Sequence, residues 1–173
     1  MRSESQVKAF SPAKSWGIAI LLLVVLVAAD QATKEWVRES VPERYAAVLI
    51  PGLIDLTHVE NPGVSFSVLG TVAASIRVPA LVAITLIAIA VLGSYWIRRR
   101  TTMNRWMDAG MIFILAGAVG NLIDRFLQGT VTDFLHFRFG SYSFFVNNGA
   151  DIFISAGVVC YAIGAYWPRR KAE

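Results

Sequence analysis

In the stretch from Gly117 to Asp151 the side chains Asn121, Asp124, Arg125, Asp133, Asn147, Asn148 and Asp151 stand among apolar and aromatic residues. Polar groups set into or beside a membrane span cost free energy, so a cluster of them marks a functional site. Two carboxylates carry the chemistry. Asp133 follows the β-branched pair Val131-Thr132, and Asp151 stands at the head of the last apolar segment. Brought face to face, two carboxylates cannot both ionise easily, so one keeps a proton and the pair is acid and base at once. Such a pair can take a proton from water attacking a peptide carbonyl. It can also protonate the carbonyl oxygen and later help the amine leave. Asp151 reads equally as an N-cap of the final helix, because aspartate is a favoured cap. The residues alone leave both roles open.

Other chemistries fit worse. The two histidines, His58 and His136, belong to no HExxH run or other zinc-ligand pattern. There is no G-x-S-x-G elbow and no glycine-rich phosphate loop. His58, alone in a strand-like segment, reads as structural. The single cysteine, Cys160, excludes an intramolecular disulfide and packs as a small apolar helix residue.

The elements that must position the carboxylates follow from composition. Of the 173 residues 55% are hydrophobic and 16% charged, with a mean hydropathy of +0.55. Soluble domains are nearer 45–50% apolar and about 25% charged. The chain is therefore expected to be one membrane-embedded domain over 1–173, with spans at about 15–33, 76–97, 106–126 and 151–168. The first apolar run, Trp16–Ala29, has the length of a signal-peptide core. Further spans follow it, however, and Asp30-Gln31 leads into a continuing helix. Gly110, Ala116, Gly117 and Gly120 give the third span the small residues that close helix packing in lipid requires.

The outer connections are 34–75 and 127–150. The first has an amphipathic helical part, with Trp36 and Tyr45 suited to the interface, and then an alternating strand-like part around Ile54–Val59. It ends in Glu60-Asn61-Pro62-Gly63, a strong turn signal whose Gly63 lets backbone approach a ligand. In the second, residues 130–146 read as a hairpin turning at Gly140-Ser141, which would return Asp151 towards Asp133. Ten of the sixteen basic residues lie in the two tails and in the 98–105 connection. The positive-inside rule then gives four spans with both ends in the cytoplasm. Asp30, Asn61, Asn121, Asp124, Asp133 and Asp151 all collect at the outer face. Basic residues that flank spans argue against nucleic-acid binding. Asn121, Asp124 and Arg125 share one helix end, where Asp124–Arg125 reads as a structural ion pair.

These residues, in this order, resemble the bacterial lipoprotein signal peptidases. The resemblance rests on Asp30-Gln31, the run Asn61 to Ser67, Gly120 to Arg125, Val131 to Phe134, and Asn148 to Asp151, and it covers roughly residues 15–168. It implies a four-helix membrane aspartic endopeptidase with an extracytoplasmic β-rich cradle and a short surface helix. Such an enzyme works in the bacterial plasma membrane and removes signal peptides from diacylglyceryl-modified prolipoproteins before the lipidated cysteine. By motif position Asp133 and Asp151 match the catalytic pair. Asp30, Asn61, Gly63, Asn121, Asp124, Arg125 and Asn148 match supporting or substrate-binding positions. No metal or organic cofactor is implied, and the partners are the substrate and membrane lipids, with the chain acting as a monomer. The chain departs from the family pattern at Asn147, where an aromatic is usual, and at Val64-Ser65, where small residues are usual. Other readings are a non-catalytic relative that binds precursors and a small carrier using the same polar network. A carrier would place its carboxylates near the bilayer midplane and carry internal repeats, and this sequence has neither feature.

Overall fold

The computed structural model describes residues 12–43, 45–63 and 73–166, with backbone only for 12–15. Four long helices carry the chain: α1 (Pro12–Ser40), α2 (Ala74–Arg99), α3 (Arg105–Leu127) and α4 (Gly149–Tyr166). All four are long and apolar enough to cross a membrane. Between α1 and α2 run strands β1 (Ala46–Ile50) and β2 (Ile54–Asn61). Between α3 and α4 run β3 (Val131–Phe139) and β4 (Tyr142–Asn147). The strands form one antiparallel sheet in the order β1-β2-β3-β4.

Helix α3 is the hub, packing against each of the other three helices. Its contact with α4 depends on missing side chains. A Cβ on Gly157 would stand 2.7 Å from the Gly110 carbonyl oxygen, and one on Gly110 would stand 2.7 Å from the Tyr161 nitrogen. A Cβ on Gly117 would collide with the carbonyl of Ala150. The expected close packing of Gly110 and Gly117 is therefore met, and its partner is α4. Gly120 serves another neighbour, the Asp30 side chain of α1. By contrast, Trp96 is the one buried residue of α2. Ile89 and Leu92 of that helix pack against the core, while Ile76, Ile84, Leu86, Ile87, Val91 and Ile97 are exposed.

The sheet joins β2 to β3 with Val59 opposite Asp133 and Asn61 opposite Val131, and β3 to β4 with Leu135 opposite Asn147. The expected strand and hairpin are both present, the hairpin turning at Gly140 with φ +58°. A small apolar cluster of Val37, Val41 and Phe134 seats the sheet on the end of α1. One expectation needs correction. The amphipathic helical part expected in the 34–75 connection is the continuation of α1 to Ser40, because nothing interrupts the backbone hydrogen bonding until Pro42. Among the described residues between α1 and α2 there is no other helix. Val64-Ser65 and the rest of that motif to Ser67 lie outside the described residues.

Substitution at two glycines separates packing from propensity. Gly117→Ala should lower the unfolding midpoint in detergent, since overpacking costs about 1–3 kcal/mol. Gly93→Ala, which meets open space, should leave the midpoint unchanged or raise it. Thermal unfolding of the two variants checks both signs.

Candidate functional site

The site is built outward from a buried cation. Lys34, on α1, is 0% exposed. Its Nζ forms ion pairs with Asp30 Oδ2 at 2.9 Å and Asp124 Oδ2 at 2.8 Å and donates to Asn121 Oδ1 at 3.0 Å. Three oxygens thus lie within 3.0 Å of a group that has three protons to donate. Asp30 stands one turn before Lys34, so the pair needs only the i, i+4 geometry of one helix. Asp30 Oδ1 also accepts the Ala150 backbone N–H at 2.8 Å, tying the start of α4 to α1. Gly120 makes room for that carboxylate, since a Cβ there would stand 2.5 Å from Asp30 Oδ2. Gln31 closes the same junction, donating to the Gly120 carbonyl and to Asp124 Oδ1, both at 3.1 Å.

Three asparagines carry this order to the two aspartates. Asn121, held by Lys34, donates through Nδ2 to Asp151 Oδ1 at 2.8 Å. Asn148 is fully buried, donates to Asp133 Oδ1 at 2.6 Å and accepts the Asp151 backbone N–H at 3.0 Å. From the second strand Asn61 donates to Asp133 Oδ2 at 2.8 Å. Its own oxygen accepts the Gly63 N–H at 2.9 Å, bending the chain at a glycine with φ +84°. The cap of α4 is thus Asn148, assisted by Asp30. The Asp151 carboxylate is left for the cavity, which removes capping as its role.

Asp133 and Asp151 both line a cavity of about 190 Å³. Gly63, Asn121, Arg125 and Asn147 contribute to its wall, so the departure at Asn147 does fall on the pocket. The Asp133 carboxyl is pushed up to about 6, first by burial and then by the nearby Asp151 charge, against the lowering effect of the bonds from Asn61 and Asn148. A raised carboxyl beside a second carboxylate is the condition under which a pair shares a proton.

The structure brings together Asp30, Asn61, Gly63, Asn121, Asp124, Arg125, Asp133, Asn148 and Asp151. It also corrects one pairing. Asp124 faces α1 and binds Lys34, while Arg125 donates to the Asn121 carbonyl at 3.3 Å and lines the cavity. Successive helix residues point about 100° apart, so Asp124 and Arg125 serve different neighbours. Lys34 is the principal residue that the sequence motifs left out. The signal was there, a lysine four residues after an aspartate on a helix that enters the membrane. A second network, between Glu60, Thr130, Thr132, His58 and Arg38, was also missed. Burial would raise the Glu60 carboxyl, but the bonds from Thr130, His58 and Thr132 outweigh it and hold it below the usual range. His58, bonded to the Val41 carbonyl at 2.7 Å, is structural as expected.

Four membrane-length helices with a buried ionic junction, and two aspartates on one small cavity, define a polytopic membrane protein. The family model for signal peptidase (SPase) II matches residues 22–167. A lipoprotein signal peptidase of Cyanothece sp. is 40% identical over 91% of this chain and 88% of its own length. One from Maridesulfovibrio salexigens is 35% identical over 86% and 95%. A bacterial membrane enzyme solved by the in meso method superposes with a TM-score of 0.75 at 27% identity, covering 91% of this chain and 94% of that one. The chain belongs to the signal peptidase II family.

The raised Asp133 carboxyl has a consequence for stability. The folded chain holds that proton more tightly than the unfolded chain. The contribution is therefore full below about pH 4 and lost as pH rises through about 6. A shift of this size corresponds to on the order of 3 kcal/mol. Glu60, lowered, acts with the opposite sign, so the comparison must be made against a variant. Relative to Asp133→Asn, the wild-type unfolding midpoint should fall between pH 4 and pH 7. Parallel curves for the two proteins would contradict this.

Proposed function

We propose that this protein removes signal peptides from lipoprotein precursors by peptide-bond hydrolysis with Asp133 and Asp151 as the catalytic pair. The observation that carries the assignment is their convergence on one cavity, linked by Asn148, in a chain of the signal peptidase II family. Its relatives are named lipoprotein signal peptidases. In this reading the pair holds one proton. The ionised carboxylate takes a proton from water as the water attacks the scissile carbonyl, while the other carboxyl protonates the carbonyl oxygen. The tetrahedral diol then collapses as one carboxyl gives its proton to the departing amine and the other carboxylate takes a proton from a diol hydroxyl, which returns the pair to its singly protonated state. Asn61, Asn121 and Asn148 hold the carboxylates in place, so little reorganisation is left to the reaction itself. Arg125, on the same wall, is placed to bind a substrate carbonyl. Gly63 lets the substrate backbone approach.

The substrate is a precursor whose cysteine carries diacylglycerol, cut immediately before that cysteine, and the resemblance is what supports this detail. The chain acts as a single membrane-embedded unit and as a monomer, in contact with membrane lipids. It lies in the bacterial plasma membrane with both termini in the cytoplasm and the aspartates at the extracytoplasmic face. The placement of basic residues supports that orientation. A cluster of exposed aromatics on the sheet, Phe139, Tyr142, Phe144 and Phe145, supports a sheet resting at the membrane interface, where such rings are favoured.

Purified protein is expected to convert a diacylglyceryl-modified precursor to the shortened form on a gel. Asp133→Asn and Asp151→Asn, each still folded, should lose at least about a thousandfold in rate, the scale seen when one member of a catalytic unit is removed. Either variant cutting at near wild-type rate would overturn the pair. Binding of precursor without any cleavage by wild type would favour the non-catalytic reading.

A further inference from the structure

At the end of the bundle remote from the aspartates a second polar cluster joins α1, α2 and α3. Arg100, in the short 3-10 turn after α2, meets Asp108 through Nε at 2.8 Å and Nη2 at 3.0 Å. Its guanidinium lies over the Trp16 ring at 4.2 Å and near the Trp96 ring at 5.2 Å, and Trp96 donates to Asp108 at 2.7 Å. The Asp108 charge is therefore matched locally. Arg105 is exposed and has no acidic partner among the described residues. Between α1 and α3, beside this cluster, opens a cavity of about 340 Å³. Buried Ala19 and Ile112 line it, with exposed Ile18 and Leu22, and its polar lining is Arg100, Arg105 and the Asp108 that Arg100 holds.

A trough open to lipid along an apolar side, with an unmatched cation in its lining, fits a molecule with an anionic head and an aliphatic tail. The neighbouring charge favours the same occupant. Arg98, Arg99, Arg100 and Arg105 fall within eight residues, against the one carboxylate of Asp108 that Arg100 already holds. We propose that this groove binds one anionic phospholipid, its phosphate on Arg105 with Arg100 behind it, and one acyl chain between α1 and α3 along Leu22 and Ile112. Basic pockets between helices at a membrane face recognise anionic headgroups in this way. Arg105 is twenty residues before Arg125 on α3, about 30 Å along the helix. The lipid site is thus separate from the cavity and does not depend on the function proposed for it. A lipid seated here bridges the first and third helices where Trp16 already meets Arg100.

Native mass spectrometry of the full chain, stripped of lipid in detergent and offered phosphatidylglycerol or phosphatidylcholine of equal chain length, tests the site. Wild type should retain one phosphatidylglycerol at about fivefold preference or more, the contribution of one basic residue near a membrane surface. Arg105→Gln should remove that preference while leaving phosphatidylcholine binding unchanged. Leu22→Trp, which fills the trough from an exposed position, should weaken retention of both lipids. Precursor cleavage by each variant confirms that it is folded. Equal retention of the two lipids by wild type would overturn the proposal. So would an unchanged preference in Arg105→Gln, which would place the headgroup on Arg98 and Arg99 outside the groove, or undiminished retention by Leu22→Trp.

Discussion

A lysine with no solvent exposure is the constraint on which the rest of this structure depends. Removing an ammonium from water costs several kcal/mol unless its charge is matched and its protons are all bonded. The Lys34 charge is matched by two carboxylates, at 2.9 and 2.8 Å from Nζ, and the ammonium donates to one amide oxygen at 3.0 Å. Each acceptor comes with an obligation of its own. Asp124 and Asn121 fix the end of α3, and Asp30 fixes the first turn of α4 through the Ala150 N–H. One cation therefore sets the relative position of three helices at the end where the aspartates lie.

That junction explains why a site of such small volume can be ordered beside lipid. Apolar packing alone gives little help, since lipid tails solvate an apolar helix face as well as another helix does. Here the α3–α4 contact is close because glycine lines both sides. The α1–α3 contact is held by charge, and the sheet is seated on α1 by Val37, Val41 and Phe134. Asn121 passes the order of the ionic junction to Asp151, and Asn148 ties Asp151 to Asp133. The asparagines suit this role because one amide both donates and accepts, so each can link two groups without adding charge to a buried place.

Much of this was legible in the chain itself. Four apolar runs marked the spans, Gly110 and Gly117 marked the close contact, and the alternation after Leu53 with the turn at Gly140 marked the sheet. The motif residues found one another because polar groups at the ends of spans have few other places to go. What the pattern did not disclose was direction. It paired Asp124 with its neighbour Arg125, although consecutive helix residues point apart. It passed over Lys34, because a lysine near the end of a span ordinarily extends to the interface and only the surrounding acceptors keep it inside. It also ended the first span near residue 33 and gave the amphipathic helical part that follows to the outer connection. The apolar run stops at Ala29, but backbone hydrogen bonding does not stop with it.

The most direct test of the buried-cation account is the unfolding midpoint of Lys34→Met compared with that of Lys34→Met/Asp30→Asn/Asp124→Asn, both in detergent at pH 7. The single substitution leaves two buried carboxylates without their cation and should cost about 3–5 kcal/mol, whereas removing all three charges together should restore most of the loss. The expected result is a midpoint well below wild type for the single variant and close to wild type for the triple variant. A single variant as stable as wild type, or a triple variant less stable than the single one, would contradict the claim that this ionic junction holds the helices in place around the aspartates.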